Sequence, residues 1–434
     1  MNRPHSAYDG LPAPLTFVAA AAISLLPALT LSVRGSANRL LFLLLLLSMI
    51  AAFWRHRLAP EARFAHVMRQ YWPVWAALAA QFVAAAVSTL AVGWDQPRVF
   101  ADLRVLDTPL RMALFGPLFW LLLAVPAGWL KQLQWGCTGG ALIGAAILHH
   151  QFALSPGERP MQILFSNLLP FSNITLLLGM FSLLSIGWSD PATRRGRIAI
   201  ALKLAGGGAG LYVAYASGTR GGWLALAVFA FVFFFLMRGR AWRKLLAMAT
   251  LAAASAGAYL SSDFVAQRVD DAYKELQEYR QGKELDSSVG NRLQLWTAAV
   301  EVFKEHPFVG VSRQGYGQAM LDAARRGIIT MRAAEYRHSH NELLFNLATL
   351  GTLGALAILA AWLVPAAYFA RAARSPHRDE RTAGTMGLLL ATGFLVFGMT
   401  EVMFAMSMVA SFYTLMTAAL MAIVARQRRC TVVA

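Results

Sequence analysis

Nearly the whole chain is divided into apolar stretches of membrane-crossing length, and this repetition limits its fold more than any single motif does. A helix needs about 20 apolar residues to cross the hydrocarbon layer. On that measure twelve spans are predicted, at about 15–33, 38–54, 72–92, 109–129, 133–150, 164–187, 198–216, 221–237, 243–260, 342–369, 383–401 and 404–425. Hydrophobic residues make up 57% of the 434 and charged residues 14%, more apolar surface than one soluble core can hide. Inside a bilayer the backbone must satisfy its own polar groups, which these segments do as helices. The expected fold is an all-α polytopic membrane protein with about 12 transmembrane helices. The first apolar run, 16–33, has no small-residue cleavage site leading into a soluble domain, so it reads as a span rather than a signal peptide.

A net charge of +17 is compatible with nucleic-acid binding, but the placement of the charge argues for membrane orientation instead. Arg55, Arg57, Arg63 and Arg69, then Lys131, Arg194, Arg195 and Arg197 fall in alternate connections. So do Arg238, Arg240, Arg243 and Lys244, then Arg371, Arg374, Arg378 and Arg381, and finally Arg426, Arg428 and Arg429. The opposite connections are poorer in basic residues, and Arg98 and Arg104 are offset there by Asp95, Asp102 and Asp107. Twelve spans with both termini cytoplasmic satisfy the positive-inside rule at every cytoplasmic connection. No nucleic-acid partner is expected. Cys137 lies in an apolar run and Cys430 near the C-terminus, so a structural disulfide between them is not expected.

This topology divides the chain into spans one to nine (1–260), a long outer segment (261–341), and the last three spans with a cytoplasmic tail (342–434). Long translocated segments escape the charge rule, so the eleven Lys and Arg between 261 and 340 do not contradict it. One helix is predicted over 263–279, from Val265, Val269, Ala272, Leu276 and Tyr279, with Gly282 as its stop. A second is predicted over 288–306, with Leu293, Trp296, Val300 and Phe303 on its apolar face and Pro307 ending it. Pro307–Gly310 and Gly315–Gly317 read as turns, and 318–326 as a third short helix. Together these form an amphipathic cap on the outer membrane face, in contact with membrane lipids.

Few residues in this apolar background carry chemistry. Arg220 sits in Ser217-Gly218-Thr219-Arg220-Gly221-Gly222, a tight outer turn whose glycines permit a sharp bend and the approach of a bulky anion. An arginine reaching for lipid phosphate gives the same pattern. Arg292, at i+4 from Trp296, faces the apolar side of its helix, either as a binding group or as a cation-π partner. Glu301 and Glu305 read as a solvated face. Arg337-His338-Ser339-His340-Asn341-Glu342 opens directly into the tenth span. A His-x-His pair can ligate zinc, but no Cys, Asp or Glu at ligand-like spacing completes a site. A catalytic base among His338 and His340 is the better reading, because a neutral imidazole takes a proton at ambient pH. The first outer loop, 32–39, holds no acid of the kind that metal-using membrane glycosyltransferases present there. Neither a metal nor another cofactor is expected. The span interiors are almost free of ionisable groups, Lys203 and Glu401 being the nearest exceptions, which argues against an ion-coupled transporter.

Three outer-face segments, in order, resemble the O-antigen ligase and polymerase superfamily of bacterial envelopes. They are Ser217–Gly222, then Asn291–Trp296 continuing to Phe303–Val311, then His340-Asn341 followed after nine residues by Gly351-Thr352-Leu353-Gly354. The resemblance implies a metal-independent, inverting glycosyltransferase of the GT-C type in the bacterial inner membrane, working in lipopolysaccharide biosynthesis. It would move a glycan from undecaprenyl diphosphate to the lipid A-core oligosaccharide on the periplasmic face. Arg220 and Arg292 would then stabilise the diphosphate, and His338 or His340 would deprotonate the acceptor. Asn341 would orient the base or a phosphate, and Arg337 would add to substrate binding. A polymerase, whose acceptor is a second lipid-linked glycan, is the alternative, and a lipid or polysaccharide transporter a more distant one.

Overall fold

The computed structural model describes residues 11–54, 58–95, 102–154, 159–236 and 241–432. Arg55, Arg57, Arg98, Arg238 and Arg240, used above to orient the chain, lie outside these residues. The first half is α1 (Ala13–Ser32), α2 (Ser36–Ala52), α3 (Phe64–Asp95), α4 (Asp107–Ala113), α5 (Phe115–Leu123), α6 (Ala127–Leu130), α7 (Leu133–Leu154), α8 (Leu168–Leu184) and α9 (Arg194–Ala216). The second is α10 (Arg220–Leu236), α11 (Ala241–Ser261), α12 (Asp263–Arg280), α13 (Ser288–Glu305), α14 (Ser312–Arg325), α15 (Met331–Ala334), α16 (Glu342–Ala372), α17 (Arg378–Gly398) and α18 (Ser407–Val432). A two-stranded antiparallel hairpin, pairing Gln162 with Asn167 and Ile163 with Ser166, precedes α8.

The protein is an all-α, multi-pass membrane protein. Among the described residues, eight helices are long and apolar enough to cross a membrane, and α2 and α10 are shorter apolar helices. The other two expected spans, on α7 and α11, are helical but not among these ten. At the centre stands α18, whose membrane-length window is entirely buried. Its Tyr413 hydroxyl donates to the Ala361 carbonyl of α16 at 2.8 Å, joining two of the three C-terminal helices. Lys203, an exception noted in the sequence, is buried on α9 with its ammonium held by Gln134, the Ser185 carbonyl and Ser189. Those acceptors account for its three N–H donors, giving it a structural role.

The segment before α16 has its own apolar core. Leu295, Ala298, Ala299 and Val302 of α13 meet Tyr316, Met320 and Ala323 of α14, and the cluster closes on Phe345 and Ala348 of α16. The cap is therefore docked onto the membrane helices rather than tethered beside them. The helices over 263–280 and 288–305 form as expected, each begun by a serine whose hydroxyl accepts a backbone N–H. The apolar face of the second differs from the expected one. Val300 is exposed, while 295, 298, 299 and 302 form the buried stripe, because α14 and α16 cover that side. Gly315–Gly317 is not a turn. It lies within α14, where burial of Tyr316 against the Phe345 ring, 5.1 Å away, continues the helix through both glycines.

A break in α16 locks cap and membrane helices together. Gly351 adopts φ +64° inside the helix, and Gly310 adopts φ +64° in the loop after α13. The freed Thr352 N–H donates to the Pro307 carbonyl at 2.8 Å, and the Val311 N–H donates to the Ala348 carbonyl at 3.1 Å. The Ser88 hydroxyl of α3 lies within hydrogen-bond distance of the Val309 and Thr349 carbonyls. A side chain on either glycine would strike the facing backbone: Phe308 and Val309 for Gly351, Thr349 and Leu350 for Gly310. The loop at 307–310 thus enters the gap where α16 loses its own hydrogen bonds.

Candidate functional site

Gly218, at φ +58°, reverses the chain between α9 and α10 and makes Arg220 the first residue of α10. Gly221 brings this end of α10 against Thr400, so the turn sits beside the connection from α17 to α18. The carbonyls of the turn are used by two further arginines. Arg159 Nε donates to the Ser217 carbonyl at 2.9 Å, and Arg268 Nη2 donates to the Gly218 carbonyl at 3.3 Å. Arg220 Nη2 lies 3.5 Å from the Glu275 carboxylate, whose other oxygen accepts the Val289 N–H of α13 at 2.7 Å. The Nε atoms of Arg220 and Arg268 are buried without a hydrogen-bond partner.

Arg292 comes to the same place from the first turn of α13. Ser287 caps that helix, and Asp286 ties its start to Thr330 and Gln294. Burial lowers the Arg292 guanidinium from its ordinary value; Glu401 acts against this, and Arg220 adds to it. Burial and then Arg220 lower Arg268 in the same way. Guanidinium groups nevertheless stay charged at neutral pH. The result is a cavity of about 340 Å³ whose lining includes Arg159, Arg220, Arg268, Arg292, Arg332 and His340. Such a concentration of cationic donors suits a polyanion.

The histidines are held from the other side. The Trp296 indole donates to the Ser339 carbonyl at 3.0 Å, and the Ser339 hydroxyl donates to the Asn341 carbonyl at 2.8 Å. Between these anchors His340 takes φ +50°, a left-handed conformation uncommon outside glycine. Its Nδ1 lies 3.1 Å from Glu401 Oε2, while His338 Nδ1 lies 3.5 Å from Glu401 Oε1 and makes no hydrogen bond. Glu401 is 6% exposed and also accepts the Val402 N–H. Burial alone would raise its carboxyl, but the hydrogen bond and charge of His340, with the charge of His338, hold it below the usual carboxylate value. Burial lowers the His338 imidazole, and Glu401 opposes that.

The structure thus brings Arg220, Arg292 and His340 to one cavity, with His338 beside His340. It places the two remaining expected residues differently. Asn341 is the N-cap of α16: its Oδ1 accepts the Leu344 N–H at 3.1 Å and its amide faces the Met399 carbonyl at 3.4 Å. With its side chain turned to the protein, it orients the helix that follows His340. Arg337 is exposed and does not line the cavity.

Four residues of the site were not assigned to it from the sequence. Arg159, Arg268 and Arg332 sit in polar segments outside the apolar spans, Arg268 within α12, where many basic residues occur without a pattern to single them out. Glu401 did stand out as a lone acid between the last two spans, yet its distance of 61 residues from His340 hid the pairing. It also supplies the third ligand type that the sequence lacked near the histidine pair. One ligand atom from each of His338, His340 and Glu401 lies within 4.8 Å of the others, a grouping able to hold a metal ion. The adjoining arginines oppose a dication there electrostatically.

An uncharacterized protein of Haemophilus influenzae is 24% identical over 299 residues, covering 66% of this chain and 71% of its own. Residues 205–359, which run from α9 through the arginine turn, the cap and the histidines into α16, match the family described as O-antigen ligase. That match, which covers about a third of the chain, supports its membership of the O-antigen ligase superfamily.

Proposed function

We propose that this protein is a glycosyltransferase that moves a glycan from undecaprenyl diphosphate to the lipid A-core oligosaccharide. The observation that carries the reading is the convergence of Arg220, Arg292 and His340 on one cavity, with Glu401 bonded behind the histidine. An imidazole that donates its Nδ1 proton to a buried carboxylate keeps its Nε2 lone pair free to accept another. His340 is the base in this proposal, and Glu401 fixes its tautomer and stabilises the imidazolium. The acceptor hydroxyl gives its proton to His340 Nε2, and its oxygen bonds to the anomeric carbon. The bond from that carbon to the diphosphate breaks with inversion, and both electrons leave with the oxygen. Arg220 and Arg292 stabilise the charge on the departing undecaprenyl diphosphate, the part that a divalent cation plays elsewhere. His338 is a neighbour that shares the Glu401 carboxylate, and Arg337 attracts anionic substrate from outside the cavity.

The same reading assigns twelve spans of the GT-C type in the bacterial inner membrane, both termini cytoplasmic and the cavity periplasmic. The site supports this through its construction: it is built at the starts of α10 and α16 and the end of α17, beneath the cap. Purified protein incubated with lipid-linked glycan and lipid A-core tests the assignment. A glycan-core product with free undecaprenyl diphosphate is expected, without added metal and in chelator. A longer lipid-linked glycan would make the protein a polymerase, dependence on a divalent ion would assign the His–His–Glu group to metal, and no covalent product would overturn the enzyme reading.

A further inference from the structure

A second cavity, about 680 Å³ and thus within the usual range for ligand sites, lies at the other end of α13. Arg292 lies near the start of that helix and Glu305 ends it, a separation of about 20 Å at 1.5 Å per residue. The floor is small and apolar, from Ala91 and Val92 at the outer end of α3 and from Gly315 and Ala319 of α14. Glu305, His306, Gln318, Asp322 and Arg326 make its polar wall.

The charge on this wall differs from that of the arginine cavity. Glu305 is paired with Arg326, and Asp322 with Arg325 at 2.9 Å, so each carboxylate has a cationic partner. Gln318 donates to Asp322 at 3.0 Å. Arg325 lies outside the lining, which carries two carboxylates and one guanidinium; with both carboxylates paired, it has neither the cationic excess that would hold a diphosphate nor free acids to concentrate a cation. It offers carboxylate, amide, imidazole and guanidinium groups, half exposed and able to exchange hydrogen bonds, above an apolar strip. That combination suits a neutral polyhydroxylated chain: hydroxyls meet the wall and the C–H faces of the sugar rings lie on the floor.

We infer that this cavity is a second saccharide subsite, holding sugars remote from the reacting bond. The inference rests on the transferase reading, in which one sugar reacts beside His340 while the rest of its chain extends along α13. Such sugars come from one of two sources, the acceptor core or the distal part of the donor glycan.

Gln318→Ala and Asp322→Ala test it in the full-length protein, since both side chains lie outside the catalytic cavity. Losing a hydrogen bond to bound sugar should raise the KM for one substrate about 3- to 10-fold, with kcat within about twofold. A rise for the lipid A-core identifies the acceptor, and a rise for the lipid-linked glycan identifies the donor. With a substrate trimmed to its reacting sugars, variant and wild type should behave alike. Unchanged KM for both substrates, or an equal effect on trimmed ones, would overturn the subsite. Saturation-transfer NMR with lipid-free core oligosaccharide and with lipid-free donor glycan keeps the two ideas separable. Saccharide binding that the variants lose, in a protein without transfer activity, would sink the transferase reading and leave the subsite standing.

Discussion

His340 Nδ1 stands 3.1 Å from Oε2 of Glu401, a carboxylate that is 6% exposed and lies 61 residues further along the chain. The pair joins the mouth of α16 to the connection between α17 and α18, so the orientation of the imidazole depends on three membrane helices holding their positions. Glu401→Gln preserves the shape but removes the charge and can reverse the hydrogen bond, leaving the imidazole in the wrong tautomer. Transfer should fall about 10²-fold or more, with little change in donor binding. A variant with full kcat would remove Glu401 from the mechanism.

Replacing His340 with Ala should nearly abolish transfer, whereas His338→Ala should retain most of it, because His338 does not line the cavity. Equal losses in the two variants, measured as initial rates on purified protein, would place the base function in the pair rather than in His340.

Lysine is not expected to replace Arg292. A diphosphate spans two phosphates, and a guanidinium fork contacts both oxygens of one of them where an ammonium makes a single point contact. Arg292→Lys should lower kcat/KM about 10²-fold, and Arg220→Lys comparably, without a change in the unfolding temperature. Rescue of either variant by added magnesium would show a cation occupying the place of the missing guanidinium.

Asn341→Ala should destabilise the protein by about 1 kcal/mol, the usual cost of a lost helix cap, and Asn341→Asp should restore most of this. Thermal unfolding in detergent checks the stability. If Asn341 acts by positioning His340, activity should follow stability across the two variants; activity lost in a fully stable Asn341→Asp protein would instead indicate direct substrate contact.

Gly351→Ala should cost about 1–3 kcal/mol, because its positive φ is strained for alanine and the methyl group meets the Phe308 backbone. The same change at Gly208, where φ is not positive and a methyl group meets nothing within 4 Å, lacks both penalties. Unfolding midpoints for the two single variants provide the comparison.

Acidification should destabilise the site in two stages. His338 and Glu401 both bind a proton less readily in the folded protein than in the unfolded chain, so the unfolded state gains protons as the pH falls. The His338 contribution is present above about pH 6.5 and is lost as the pH drops towards its lowered folded value. The Glu401 contribution is present above about pH 4.3 and is lost below it. His338→Gln should flatten the upper part of the stability curve and weaken the lower part, because the charge of His338 helps hold the Glu401 carboxyl down, as read from unfolding temperature against pH.

Much of this protein was legible in the sequence because a bilayer imposes one-dimensional rules. Apolar length located the helices, since backbone groups in lipid must bond within their own segment. Helical spacing of apolar residues, with Gly282 and Pro307 as stops, located α12 and α13, since both signals are local in the chain. Arg220, Arg292 and His340 were visible as polar groups in an apolar chain. The tertiary structure alone decided which groups meet. The buried face of α13 depended on where α14 and α16 pack, so Val300 was misplaced by reading the helix in isolation. Asn341 became a helix cap, and Glu401 became the partner of His340, because hydrogen bonds are formed by distance in space. Sequence separation carries no record of that distance when whole membrane helices lie between the partners.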